Sequence, residues 1–156
     1  MRKGSFKRKN VVPDPKYNDV LVSRFVNNIM MEGKKSRAYE IFYKTIDLVS
    51  EKTGENGLDV WRKALENVTP SVEVQRRRVG GATLQIPVEI YPFRRTSLGI
   101  KWLIQFARQR GEKTMVEKLA KEIIDASQEE GKAIKKKQDV HKMAASSKAY
   151  ASLQIR

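Results

Sequence analysis

The sequence predicts a mainly α-helical single domain of about six helices, with one protruding β-hairpin and a basic extended N-terminal arm. Apolar residues recur every three or four positions through most of the 156 residues, as they do on one face of an α-helix. A Gly-Gly pair lies between two runs rich in β-branched residues, which is a strong hairpin signal. Residues 1–17 have no hydrophobic period and carry five basic residues in the first nine, which indicates the arm.

Three helices are predicted between the arm and the hairpin, within residues 18–70. Asn18 or Asp19 can cap the first, and we expect Gly33 to end it. The second stops before Gly54, and a proline closes the third. Each has an apolar face at helical spacing, which predicts packing against a common core.

The hairpin is predicted over residues 71–91, with Gly80 and Gly81 in its turn and the arginines at 76–78 beside it. Three guanidinium groups so close together repel one another, so we expect them to project toward an anionic partner.

The apolar residues of the two strands predict their register. A three-residue loop at 80–82 pairs Val74 with Val88, whereas a two-residue loop mismatches the apolar residues. The longer loop also places Glu73 opposite Glu89, and this like-charge pair counts against it.

Three further helices are predicted over residues 95–150. The fourth has a cationic polar face that includes Lys101. Thr114 and Glu117 have the spacing of a capping box and open the fifth. The sixth starts at Gly131 and has a thin apolar stripe beneath many lysines, so we expect it to pack weakly and to face solvent.

Charge points to a polyanionic partner. The chain carries 32 Lys and Arg residues against 18 Asp and Glu residues, a formal net charge of +14. The charge is uneven along the chain: residues 1–37 have net +7, residues 38–69 net −2, residues 70–113 net +6 and residues 114–156 net +3. The middle helices are therefore predicted to be scaffold, and the other segments are candidates for contact.

The sequence offers little material for catalysis. It contains no cysteine and one histidine, His141, which we expect to be an exposed surface residue. No metal set can be assembled from these residues, so neither an enzyme nor a cofactor is predicted. The N-terminus lacks the apolar stretch of a signal peptide, and no run of 18 apolar residues could span a membrane, so we expect a cytoplasmic protein without a membrane partner.

Aromatic residues fall into two groups. One group lies on the apolar stripes and is predicted to pack in the core: Phe42, Trp61, Trp102 and Phe106. The other group lies beside basic residues and could stack on unpaired RNA bases: Tyr91, Phe93 and Tyr150.

Several longer motifs are spread over nearly the whole chain. They are Pro13-Asp14-Pro15-Lys16-Tyr17, Phe25-Val26-Asn27-Asn28-Ile29-Met30, Gly33-Lys34-Lys35, Arg77-Arg78-Val79-Gly80-Gly81-Ala82-Thr83, Arg94-Arg95, Trp102, Ala107-Arg108, Glu112-Lys113-Thr114-Met115, Ala133-Ile134-Lys135-Lys136-Lys137 and Asp139-Val140-His141-Lys142-Met143-Ala144. Together these motifs resemble the family of bacterial-type small ribosomal subunit protein seven. The sequence departs from the family's usual pattern at Leu84 and at the C-terminal ending.

The resemblance implies a structural constituent of the small ribosomal subunit, a helical body with a protruding hairpin. It implies binding to the 3′ major domain of 16S rRNA and a role in organising assembly of the subunit head. The hairpin would lie near the exit-site tRNA and the mRNA path. Ribosomal proteins nine and eleven are implied as neighbours, with thirteen and nineteen as dependents in the head.

A helical DNA-binding or nucleoid protein is the alternative, since a positive helical face also serves duplex DNA. No helix pair, however, shows a helix-turn-helix spacing together with a spare apolar stripe for a dimer. We therefore expect RNA contacts, mainly to phosphates. The predicted RNA-binding residues are Arg2, Lys3, Lys7, Arg8, Lys9, Lys34, Lys35, Arg76, Arg77, Arg78, Arg94, Arg95, Lys101, Arg108, Arg110, Lys113, Lys135, Lys136 and Lys137.

Overall fold

The computed structural model describes residues 10–153 and confirms a mainly helical chain with one antiparallel hairpin. Two compact units divide at residue 40, within the second helix. In chain order the elements are α1 (Val20–Ile29), α2 (Lys35–Thr53), α3 (Gly57–Val68), β1 (Val72–Val79), β2 (Ala82–Glu89), α4 (Pro92–Arg108), α5 (Met115–Ser127), α6 (Gly131–Ser146) and a 3₁₀ helix (Lys148–Leu153).

The predicted arm does not remain extended up to residue 17. The carboxylate of Asp14, which is 1% exposed, accepts hydrogen bonds from the backbone N–H groups of Lys16 (3.0 Å) and Tyr17 (2.7 Å). The short side chain of Asp closes a local turn in this way, so the chain folds back just before α1. The sequence pattern missed this turn because a single buried Asp produces no hydrophobic period.

The first helix begins as predicted and ends earlier than predicted. The Asp19 side chain accepts from the N–H of Leu21 (2.7 Å), which selects Asp19 over the other candidate cap. The helix ends at Ile29, so the prediction that Gly33 ends it was wrong. Gly33 instead lies in the turn before α2 with φ +73°, a conformation that glycine adopts without strain.

The core of the unit that begins at residue 41 is built on the helices around Trp61. The rings of Trp61 and Phe42 are fully buried and meet edge to face, with centroids 5.3 Å apart. Trp102 and Phe106 are only half-buried, so the prediction that all four aromatic side chains lie in the core holds for two of them.

The predicted hairpin register was wrong by one residue. Val79 pairs with Ala82, so the turn contains Gly80 and Gly81 alone, with φ of +56° and +89°. Two central residues with positive φ match the right-handed twist of the strands, and this preference outweighs the apolar pairing on which the prediction relied. Glu73 consequently lies opposite Val88, and the like-charge pair is avoided.

The last three helices begin close to their predicted positions. α4 starts at Pro92, slightly ahead of the predicted 95, because proline is favoured in the first turn of a helix. The capping box is confirmed, since Thr114 Oγ accepts from the N–H of Glu117 and the Glu117 carboxylate accepts from the N–H of Thr114. The prediction that α6 packs weakly was wrong: α6 contacts both strands and α3, α4 and α5.

Candidate nucleic-acid interface

The hairpin arginines do not point in one direction. Successive side chains of a strand alternate between the two faces, so Arg76 and Arg78 share one face and Arg77 lies on the other. Arg76 and Arg78 are exposed, whereas Arg77 is half-buried opposite Leu84. The hairpin therefore carries positive charge on both faces, rather than as a single cluster at its tip.

Two arginines at the start of α4 hold the base of the hairpin. Arg94 donates to both carboxylate oxygens of Glu73, from Nε to Oε1 (3.0 Å) and from Nη2 to Oε2 (2.9 Å). The hydrogen bonds from Arg94 lower the pKa of Glu73 below its usual range. Arg95 Nε donates to the carbonyl oxygen of Ile90 (2.7 Å), the residue that links β2 to α4.

A groove lies along the face of the hairpin that carries Arg77. Its cavity volume is about 680 Å³. We call it the hairpin groove, and its lining residues are Gln75, Arg77, Ile86, Val88, Glu89, Ile90, Tyr91, Pro92, Arg95 and Ala151. Of the three aromatic side chains predicted to stack on bases, Tyr91 lines this groove and is the most exposed, at 82%.

Arg110 is engaged inside the protein. Its side chain is only 13% exposed, its Nε donates to the fully buried carboxylate of Glu122 (2.6 Å), and its Nη2 donates to Asp125. Glu122 also accepts from the N–H of Ala133 in the first turn of α6 (3.1 Å). Arg110 therefore joins α5 to the residues after α4, and little of its guanidinium group remains accessible to an RNA phosphate.

The lysine run of α6 is divided in a similar way. Lys137 is half-buried, and its Nζ donates to the carbonyl oxygen of Asn67 at the end of α3 (2.7 Å). Lys136 is half-buried and Lys135 is exposed. The lysine run predicted to contact phosphates thus contains one residue tied to the body of the protein.

The other predicted residues of this unit lie at the surface, since Lys101, Arg108 and Lys113 are all exposed. In the unit that precedes residue 41, Lys34 and Lys35 are exposed around a hollow of about 490 Å³ at the start of α2. Lys34 forms an ion pair with Glu32 (2.7 Å). The remaining predicted residues, Arg2, Lys3, Lys7, Arg8 and Lys9, lie outside the described residues.

No group of three or more His, Cys, Asp or Glu side chains within residues 10–153 could hold a metal ion. Over the same residues, no helix combines the length and the apolar character needed to cross a membrane.

Comparison with known proteins decides the family. Residues 1–148 match the family model of ribosomal protein S7p/S5e. The chain belongs to this family.

Bacterial members of the family align with almost the whole chain. The small ribosomal subunit protein uS7 of Amoebophilus asiaticus is 64% identical over 155 residues, which cover 99% of this chain and 100% of that protein. The same protein of Cytophaga hutchinsonii is 57% identical over 150 residues, 96% of this chain and 97% of that protein. That of Finegoldia magna is 51% identical over 150 residues, 96% of each chain.

Membership of the S7p/S5e family makes the chain a structural, non-enzymatic component of the small ribosomal subunit. The basic surface is accordingly that of a ribosomal protein that binds RNA. Duplex DNA, the alternative partner considered from the sequence, has no support from the family.

His141, expected to be an exposed surface residue, is half-buried. Its Nε2 accepts a hydrogen bond from the N–H of Ser71, the residue just before β1 (3.2 Å). Burial lowers the pKa of His141, and the nearby charge of Lys137 lowers it further. A neutral ring is needed for this bond, because a protonated imidazole has no lone pair to accept it.

Sequence reasoning missed the hairpin groove and the residues that hold the hairpin at its base. The apolar positions of β2 were visible, but the wrong register assigned them to the wrong partners on β1. Glu73 was considered only as an unfavourable neighbour of Glu89, and its bond to Arg94 spans 21 positions of the chain. Only the tertiary fold brings those two side chains together.

Proposed function

We propose that the chain binds the 3′ major domain of 16S rRNA and organises assembly of the head of the small subunit. The supporting observation is the set of exposed basic side chains on the hairpin, on α4 and on α6. Exposed Lys and Arg side chains contact phosphates and provide most of the sequence-independent affinity for nucleic acid. Arg110 and Lys137 are left out of the proposed interface because of their internal bonds.

The hairpin has a separate role in this proposal. Its two strands extend from the helices and end at a turn whose flanking residues are exposed, so the turn can reach ligands that do not contact the helical body. By the family resemblance, these ligands are the exit-site tRNA and the mRNA. Ribosomal proteins nine and eleven are the proposed neighbours, with thirteen and nineteen depending on the chain for their place in the head.

The proposal is tested by measuring affinity for a 3′ major domain fragment of 16S rRNA at several salt concentrations. With about six to ten phosphate contacts, the affinity should fall roughly a thousandfold or more between 50 and 200 mM salt, because binding releases condensed counterions. Duplex DNA added at fixed salt should compete poorly. A nearly flat salt dependence, or equal competition by DNA, would contradict the proposal.

Charge variants give the matched control. Replacing Lys101, Arg108 and Lys135 together by Gln should make the negative slope of log affinity against log salt shallower by about two. Each phosphate that the protein neutralises adds roughly 0.7–0.9 to the magnitude of that slope. The control replaces three exposed lysines of the net-negative segment, Lys44, Lys52 and Lys63, by Gln, with the same change in total charge. If both sets of substitutions make the slope shallower by the same amount, net charge rather than a defined interface carries the binding.

A further inference from the structure

We propose that the hairpin groove holds one unpaired nucleotide of the bound RNA, with its base stacked on Tyr91 and its phosphate beside Arg77 and Arg95. The inference rests on the proposed function, because it assigns a particular subsite to RNA that the basic surface attracts. It concerns the class of nucleotide that is recognised: a base outside a helix, as distinct from the backbone of a duplex.

The groove has the surface that an unstacked base requires. Ile86, Val88 and Ile90 line the groove with apolar side chains, and Tyr91, which also lines it, is 82% exposed. So large an exposed aromatic side chain beside apolar neighbours offers a flat partner for a base, and stacking on aromatic rings is a common mode of RNA recognition.

The charges of the groove favour an anion at the same place. Arg95 Nε is tied to the carbonyl oxygen of Ile90, so its guanidinium group is held at the groove. Within residues 10–153 Arg95 forms no ion pair with a carboxylate, in contrast to Arg94. Among the lining residues one is acidic, Glu89, and two are arginines, Arg77 and Arg95, so the groove carries a net positive charge.

Size and shape argue for a nucleotide and against a duplex. A volume of about 680 Å³ falls within the range of small-molecule sites, so a single nucleotide fits. A base paired within a duplex is stacked on both sides and cannot reach a ring at the edge of a groove. The groove should therefore select an unpaired position of the RNA.

The experiment uses the full chain and the unmodified 3′ major domain fragment, crosslinked with short-wave ultraviolet light, which activates all four bases. Irradiation of the complex should produce a crosslink in the peptide that contains Tyr91. At fixed salt, Tyr91→Ala should weaken binding about fivefold or more, the loss typical of removing one base–aromatic stack, and Tyr91→Phe should restore the affinity to within about twofold. Circular dichroism checks that Tyr91→Ala, a change at an exposed side chain, leaves the fold intact.

The outcomes separate this inference from the proposed function. If the fragment binds with a steep salt dependence but Tyr91→Ala has no effect, or Tyr91→Phe loses as much as Tyr91→Ala, the subsite is wrong and the proposed function stands. Crosslinks confined to peptides outside the groove would likewise overturn the subsite. If the fragment binds with a flat salt dependence, the proposed function itself fails.

Discussion

At the scale of single residues, basic side chains that look alike in the sequence have different roles in the structure. Arg110 bridges buried carboxylates and Lys137 caps the end of α3, whereas Lys101 and Lys135 remain exposed. Arg94 lies between these cases, since its side chain is 57% exposed but donates hydrogen bonds to both carboxylate oxygens of Glu73. Burial and partners, rather than residue type, distinguish structural cations from candidate RNA contacts.

Arg110→Ala should destabilise the protein by about 3 kcal/mol or more, because it leaves the fully buried carboxylate of Glu122 without its ion partner. Lys101→Ala, at an exposed position of α4, is the control and should change the free energy of unfolding by less than about 0.5 kcal/mol. Urea denaturation measures both. The double change Arg110→Met with Glu122→Leu should recover part of the lost stability. Equal stability of Arg110→Ala and Lys101→Ala would contradict the structural role of Arg110.

His141 should make stability depend on pH. Its pKa is lower in the folded protein than in the unfolded chain, so the unfolded chain binds more protons as the pH falls. The contribution is complete above the unfolded pKa of about 6.5 and is lost as the pH falls from there through the folded pKa. The stability advantage of the wild type over His141→Gln should therefore be larger at pH 7.5 than at pH 5. Thermal unfolding of both proteins at pH 7.5 and at pH 5 measures this difference in stability. An advantage of the wild type that grows toward pH 5 would mean that folding raises the pKa of His141.

At the scale of elements, the hairpin is held to the helices at its base and is free toward its turn. Hydrogen bonds hold the base, among them those from Arg94 to Glu73, from Arg95 to the carbonyl of Ile90 and from the N–H of Ser71 to His141. The buried residue farthest along β2 toward the turn is Ile86, and residues 78–83 beyond it are exposed. Base and turn can therefore be changed separately.

The observed register defines a clean truncation. Replacing residues 77–84 by Asn-Gly closes the strands with a two-residue turn after the pair Arg76 and Gln85 and keeps every remaining side chain on its face. The helices should stay folded, with a midpoint of thermal unfolding lowered by less than about 5 °C, on the order of 1 kcal/mol.

The truncated protein should still enter small subunits, because it keeps the exposed basic side chains of α4 and α6 that we propose to contact 16S rRNA. Retention of deacylated tRNA or accuracy of the reading frame should suffer instead. Sedimentation of subunits beside a reading-frame reporter separates the two effects. A folded truncated protein that is missing from subunits would make the hairpin an assembly anchor.

At the scale of the whole molecule, uneven charge was the most useful guide to function. Net positive charge outside residues 38–69 predicted a polyanionic partner, and membership of the S7p/S5e family, which implies RNA binding, agrees with it. Charge could not show which cations are satisfied internally, because an ion pair such as Arg110 with Glu122 joins residues 12 positions apart that periodicity does not connect.

The sequence by itself determined the class of fold, the order of the helices and the place of the turn. These features depend on local preferences: apolar spacing, caps such as that of Thr114, and glycine at positive φ. The tertiary structure alone decided the strand register, the packing of α6 and the groove beside Tyr91. These features depend on contacts between residues far apart in the chain, where turn geometry and burial outweigh the pairing of apolar residues that a linear pattern suggests.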